Sequence, residues 1–460
     1  MSSLTATGPA AGLSNPPALG PERPVAWPKR TTRKLANGLE IVLAESHTFP
    51  KIVAELFFRS GNAVTAKDTP GLAEMTAAVV RTGTKRRTSQ QIEETLRGMG
   101  ADLGTSAGAD TSAISISGLA EFAKEELELL YDLARDASFP PDEFERLRRE
   151  RIEELRIDRS TPGFLANERL RLALFGAHPY GIFAPKEPQV EALRLADLEA
   201  FYHRHYTPAN ALLIVVGDFA AEKMSALIEK IFADWSGPAP ARITGAAPPT
   251  YHGRHVNLVH LPGTVQTEVL VGNRAITRLH PDWQRLTLAN SIYGGAFNSR
   301  LVMNIREQKG YTYSPRSGLG ALREDGYFTV HAAVRNDVVA ATLTEIFYEL
   351  DRMRSLPVGE QELDNARNYM SGVFSLGVAT QEGLMNQLAT IYLHGMPPDY
   401  LETYRERIRS LRGDDVLQAA RRHFDSANAQ IVVVGDRAQI ADQASLFGDV
   451  KQYDAQGNQL

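Results

Sequence analysis

The sequence predicts an α+β protein of two homologous domains related by internal duplication, each a mostly antiparallel sheet flanked by helices. Three observations predict it. First, "DLEAFYHRHYTPANALLIVVGD" (197–218) aligns without gaps with "DVLQAARRHFDSANAQIVVVGD" (415–436), and 10 of 22 positions are identical. Agreement of that density at one fixed offset marks a repeated unit. Second, strand-type segments come in groups, with long helical patterns between or after them rather than in regular alternation, which favours antiparallel pairing over a doubly wound sheet. Third, "SGPAPARITGAAPPT" (236–250) is a Pro/Gly/Ala stretch of linker composition lying between the copies.

The elements follow in order. Residues 1–28, rich in Pro, Gly, Ser and Ala, read as a mobile arm and lack the charged start and apolar core of a signal peptide. "GLEIVLAE" (38–45), "KIVAELFFRS" (51–60) and "TSAISISGLA" (111–120) have strand character, and helices are expected over 120–137 and 141–158. The repeated block reads as an amphipathic helix, a short turn carrying Asn210 or Asn428, and a buried β-branched strand stopped by Gly-Asp. Upstream, "LYDLARDASFPPDEF" (130–144) and "FYELDRMRSLPVGEQEL" (347–363) are both helix, Pro break, helix. The expected division is therefore an arm at 1–28, a first domain at 29–236, a linker at 237–250, a second domain at 251–446 and a tail at 447–460.

A chain of 460 residues exceeds what one hydrophobic core supports, and 43% hydrophobic residues suffice to fill two. Its net charge of −5, with both signs interspersed, offers no footprint for nucleic acid or an anionic membrane. No apolar run approaches the ~18 residues of a membrane span. The absence of cysteine removes disulfides, thiolate metal sites and cysteine nucleophiles together.

Four segments carry a resemblance: "KLANGLEIVL" (34–43), "GLAEMTAAVVRTGT" (71–84), "GADLGTSAGADTSAIS" (100–115) and "IYGGAFNSRLVMNIREQKGYTYS" (292–314). Through them the chain resembles the pitrilysin/insulinase family of zinc metallopeptidases, M16, particularly its two-chain bacterial and mitochondrial-processing-peptidase-like members, over about residues 30–440. The resemblance implies an inverted His-x-x-Glu-His motif on the helix after Gly-Leu-Ala, where two imidazoles grip zinc and the Glu activates a water. Here those positions hold Glu74, Ala77 and Ala78. Glu153 or Glu154 falls where the family has its third ligand. A carboxylate without imidazole partners is expected to serve the helix surface instead, through Arg146–Glu150 and Arg149–Glu153 pairs.

In the second half the resemblance implies that Arg306 and Tyr313 meet a substrate carbonyl as it becomes an oxyanion, both being strong donors. The competing reading has Arg306 paired with a nearby acid at a helix end and Tyr313 capping a sheet edge, and a register slip would put Tyr311 in its place. Leu103, Gly104, Thr105 and Ser106 correspond to the family's substrate-pairing edge strand, to which an extended peptide adds by main-chain bonds. Gly294 and Gly295 are expected to permit a close backbone approach or a tight turn.

Other clusters carry less. His203 and His205 stand two apart on a helix and point to different sides, and His205 recurs as His423, which fits packing. "KRR" (85–87) reads as solvated surface, and "GVFSLGVATQEG" (372–383) lacks a phosphate-loop ending. The resemblance thus implies a zinc-less subunit with no cofactor of its own. Its partner would be a homologous zinc-bearing M16 chain, and its substrates peptides or small unfolded polypeptides enclosed in a shared chamber. The alternative is a scaffold relative with no part in proteolysis. Cysteine absence and the habits of bacterial relatives imply the periplasm, with the cytoplasm as the alternative.

Overall fold

Each half of the chain builds one six-stranded sheet, and the two sheets repeat one another in five of their six positions. The computed structural model describes Val25, residues 27–241 and residues 245–460; the rest of the expected arm, and residues 242–244 of the expected linker, lie outside the described residues. The strands are β1 (Arg30–Lys34), β2 (Glu40–Glu45), β3 (Lys51–Phe58), β4 (Asp102–Ala107), β5 (Ser112–Leu119) and β6 (Ala211–Gly217) in the first half. The second half supplies β7 (His255–His260), β8 (Gln266–Ala275), β9 (Arg316–Ala321), β10 (Gly326–Arg335), β11 (Gln430–Gly435) and β12 (Asp449–Tyr453).

The first sheet runs β1-β2-β6-β3-β5-β4 and the second β12-β7-β11-β8-β10-β9. All neighbours are antiparallel except β2 with β6, β7 with β11 and β7 with β12. The two sheets differ at one outer edge: β1 comes from the chain before β2, whereas β12 comes from the chain after β11. The stretch 447–460, expected as a tail, is thus partly a sheet strand. Its β12 residues pair with β7 from Asp449 opposite His255 to Tyr453 opposite Val259.

The repeated blocks fold alike. Helix Leu195–His205 precedes β6, and helix Gly413–His423 precedes β11, at the sequence offset of the repeat. Asn210 turns the first corner by donating to the His205 carbonyl at 2.8 Å and to Ser60 Oγ at 3.1 Å. β6 and β11 are buried along their whole length, which is why both read as unbroken apolar runs rather than alternating ones.

Burial on both faces requires two covers per sheet, and the two halves exchange one of them. The inner face of the first sheet, with Leu43, Leu56, Phe58 and Leu213, is packed by helices of its own half. Its other face, with Val42, Val53, Phe57 and Ile214, is covered by Leu384, Leu388 and Ile391 of helix Gln381–His394 from the second half. Reciprocally, Leu165, Leu170, Leu174 and Phe175 of helix Pro162–Phe175 cover Val259, Leu270, Val432 and Val434 of the second sheet. Each fully buried aliphatic side chain contributes about 1.5–3 kcal/mol, so the exchanged helices fasten the halves together rather than letting them swing freely.

Candidate functional site

Helix Leu72–Val80 starts at Gly71, which adopts φ +86° and lies so close to Pro185 that a Cβ there would come within 2.9 Å of the proline ring. Only glycine meets both demands without strain. Leu72, Ala73, Met75, Thr76, Ala77, Val79 and Val80 are buried, which leaves Glu74 and Ala78 on the half-exposed side. The helix packs against β4 and β5 and against helix Pro141–Asp158.

From that last helix comes the residue that sequence reasoning missed. Arg151 Nε lies 3.0 Å from Glu74 Oε1, and its Nη1 lies 3.2 Å from Glu154 Oε2 and 3.7 Å from Asp158 Oδ2. One guanidinium therefore joins the first degenerate motif position to Glu154, one of the two candidates for the third ligand. Burial raises the Glu74 pKa above its ordinary value; Arg151 opposes that rise, and the neighbouring Glu154 and Asp158 add to it.

This set does not fit zinc. A catalytic zinc site takes three protein lone-pair donors and leaves one position open. Here Ala77 and Ala78 offer none, and the carboxylates of Glu74 and Glu154 are already spent on a fixed cation that cannot be deprotonated. The signal for Arg151 was present in the sequence as a basic residue three before Glu154, but the pairing across to Glu74 was not visible there. The surface pairs expected on the same helix are half realised. Arg146 reaches Glu150 at 2.7 Å, whereas Arg149 turns back to the Glu145 carbonyl and Glu153 pairs with Arg156.

In the second half, segments Ser291–Gly295 and Val302–Gln308 are wound as π-helical turns, a distortion found often at functional positions. Gly294 permits the close approach expected of it: a Cβ there would come within 2.6 Å of Ser317 Oγ on β9. Arg306 sits near the end of the second turn, its Nε 3.3 Å from Glu307 Oε1 and its guanidinium 5.1 Å from the Phe297 ring centroid. Pairing with a nearby acid, the bland expectation for Arg306, is thus present. Tyr313 lies in the loop before β9, is 89% exposed and hydrogen-bonds to no described residue. Tyr311 instead packs against the second core. Arg306 and Tyr313 make no hydrogen bond to each other.

Leu103, Gly104, Thr105 and Ser106 all fall on β4, opposite Ile116, Ser115, Ile114 and Ala113 of β5. β4 is the outer strand on its side of the first sheet, so its far edge has no partner strand among the described residues. Leu103 is buried, Gly104 and Thr105 are half-buried and Ser106 is exposed.

The histidines divide. His205 is buried, with Nδ1 2.9 Å from Ser60 Oγ, and burial lowers its pKa to about 4. Its repeat counterpart His423 places Nε2 3.0 Å from Asp282. With His280 these form the one group among the described residues whose ligating atoms lie close enough for a metal. Asp282, however, already pairs with Arg285 at 2.9 Å and Arg422 at 2.7 Å, and two guanidiniums leave no room for a third cation. The 85–87 cluster is surface at Lys85 and Arg86, as expected, but it is also paired: Arg86 and Arg87 neutralise the buried Asp132, and Lys85 pairs with Asp136 at 2.8 Å.

The proteins this chain is similar to are described both as zinc proteases and as inactive relatives. A Bacillus subtilis protein described as an uncharacterized zinc protease is 21% identical over 76% of this chain and 85% of its own length. A protein of Helicobacter pylori described as a non-peptidase homolog is 21% identical over 86% of this chain and 92% of its own. The crystal structure of a peptidase M16 inactive domain from Pseudomonas fluorescens superposes with a TM-score of 0.83 at 26% identity, covering 89% of this chain and 98% of that one. Residues 40–180 match the insulinase family, peptidase family M16, and residues 192–370 match the peptidase M16 inactive domain. With two matches spanning most of the duplicated fold, and a guanidinium where catalytic relatives would need imidazoles, the chain belongs to peptidase family M16 as a member without the zinc ligands.

Proposed function

We propose that this chain is the non-catalytic subunit of a heteromeric M16 zinc peptidase, whose partner carries the metal. The observation that carries this reading is the occupation of the degenerate motif by Arg151 together with the exposure of Tyr313, seven residues after an Arg306 whose one ion pair is with its own neighbour Glu307. A subunit that has closed its own metal position has no internal use for an exposed phenol at the family's spacing from a partly exposed guanidinium. On this reading Arg306 and Tyr313 reach into the partner's site and donate to the oxyanion that forms there. The β4 edge, Leu103 to Ser106, holds an extended peptide along the wall of the shared chamber. The protein works outside the cytosol, in the periplasm, in keeping with its lack of cysteine.

The test is to purify the chain alone, then mixed with a His-x-x-Glu-His relative from the same genome, and to measure cleavage of an unstructured peptide. The chain alone is inactive, and the mixture cleaves. Arg306→Ala or Tyr313→Phe lowers the rate of the mixture by about 10²–10³-fold, as loss of one oxyanion donor does. Equal cleavage with both residues replaced would reject the proposal in favour of the scaffold reading.

A further inference from the structure

A cavity of about 220 Å³ lies where helix Pro162–Phe175 and residues 181–186 of the first half meet residues 454–457 of the second. Its walls are mainly apolar, with Leu165, Leu172, Ile182, Phe183 and Val259 among them. Leu172, Ile182 and Phe183 are each about two-fifths exposed, an uncommon cluster of large apolar side chains left open to water. The volume corresponds to roughly seven water molecules, too small for a folded partner and right for one short aliphatic group.

The polar groups of this cavity are matched, with one exception. Lys186 Nζ lies 3.0 Å from Glu168, which also receives Arg159 at 2.8 Å. Asp454 accepts from the side chain and backbone of Asn458 and from the Gln456 backbone. Arg169 alone has no carboxylate within ion-pair distance among the described residues. Its guanidinium carbon lies 3.7 Å from the Tyr453 ring centroid, and its Nε is buried and donates to nothing. Burial lowers its pKa from the ordinary arginine value, and Tyr453, Tyr251 and the more distant Glu168 oppose that fall only in part.

An unpaired guanidinium at the wall of a small apolar cavity is half of a recognition unit, and the missing half is a carboxylate carried on an apolar tail. We propose that this cavity binds a monocarboxylate with a short aliphatic body, its carboxylate paired to Arg169 and its tail against Leu172, Ile182 and Phe183. Two sources share that chemistry, a free fatty acid of about eight carbons and the C-terminal leucine of a peptide. The site is separate from the Arg151 cluster and from Arg306, and does not depend on a proteolytic role.

Calorimetric titration of the full chain tests it, with octanoate, octanamide, and a hexapeptide ending in leucine as the free acid or the amide. At least one acid binds, and its neutral counterpart binds about tenfold or more weakly, because the charge-assisted bond is lost. Which acid binds identifies the source. Leu172→Glu, one helical turn from Arg169, supplies the carboxylate internally and abolishes acid binding, while Leu172→Gln, which gives up part of the tail contact but adds no charge, weakens binding and keeps the preference for acid over amide. Both substitutions are at an exposed position and leave the circular dichroism unchanged. If neither acid binds at millimolar concentration, if acid and amide bind alike, or if Leu172→Glu keeps its affinity for the acid, the proposal is wrong.

Discussion

Arg151 and Glu74 form an ion pair with Nε 3.0 Å from Oε1, at the position where catalytic members of the family would begin to bind their metal. The pair is half-buried, so removing one partner strands the other. Arg151→Ala is expected to lower stability by about 1–3 kcal/mol near pH 8. The loss shrinks toward pH 5, because Glu74, whose pKa burial already raises, then takes up a proton and no longer needs the cation. Urea denaturation at the two pH values checks it; an equal loss at both would show that Glu74 is not the stranded group.

The same pair predicts how zinc binding responds to restored ligands. Glu74→His with Ala78→His rebuilds two imidazoles four residues apart, on the side of the helix that faces Glu154. Yet Arg151 would remain among them as a fixed positive charge. The double variant is therefore expected to bind zinc weakly, and the triple variant with Arg151→Gln to bind it stoichiometrically. Metal content after desalting, by plasma mass spectrometry, separates the two. Ala77 is best left alone, since it is buried and a glutamate there would cost stability for no ligand.

Glu126 predicts an inverse pH dependence. Its carboxyl is buried on helix Ala123–Arg135, neither oxygen hydrogen-bonds, and burial, with a smaller push from Glu125, raises its pKa from 4.5 to about 7. The folded chain keeps the proton over a range in which the unfolded chain has lost it. Stability is thus fully present below pH 4.5 and falls as pH rises through about 7. Glu126→Gln, always neutral, should raise stability at pH 8 by roughly 2–3 kcal/mol and change it little at pH 4. Thermal melts of both proteins across that range decide it. A gain of equal size at both ends would point to packing rather than titration.

The exchanged helices predict one cooperative transition. Trp235 belongs to the first core, and Trp283 is buried in the second half, which gives each half its own fluorophore. Chains retaining only one of these tryptophans should report the same urea midpoint. Leu388→Ala, on the helix that crosses to the first sheet, should lower that midpoint for both by about 2–5 kcal/mol of stability. Two separate midpoints would mean that the halves unfold independently.

Much of this was legible in the chain itself, for identifiable reasons. The repeat at 197–218 and 415–436 spans a helix, a corner and a strand buried on both faces, and such strands keep their apolar character in any sequence that folds this way. The loss of zinc ligands was equally plain, because Glu74, Ala77 and Ala78 stand in one short helix. Strand β12 was not legible: "DVKQY" is a short outer strand, exposed on alternate residues, and it takes its register from β7 almost 200 residues away. The partners of Arg86, Arg87 and Arg151 escaped for a related reason. A basic residue in a charged loop, or beside acids on its own helix, looks like solvated surface until packing brings in a carboxylate from elsewhere, Asp132 in the first case and Glu74 in the second.

The exchange of covering helices also sets a timetable for synthesis. The last strand of the first sheet ends at Gly217, but the helix that shields its outer face ends at His394. At ~5–20 residues per second a ribosome takes roughly 10–35 seconds to bridge that interval. Throughout it Val42, Val53, Phe57 and Ile214 stand bare on a nascent chain. Folding of this protein is therefore a waiting problem as well as a stability problem: an apolar sheet face has to stay apart from other chains until its cover has been made.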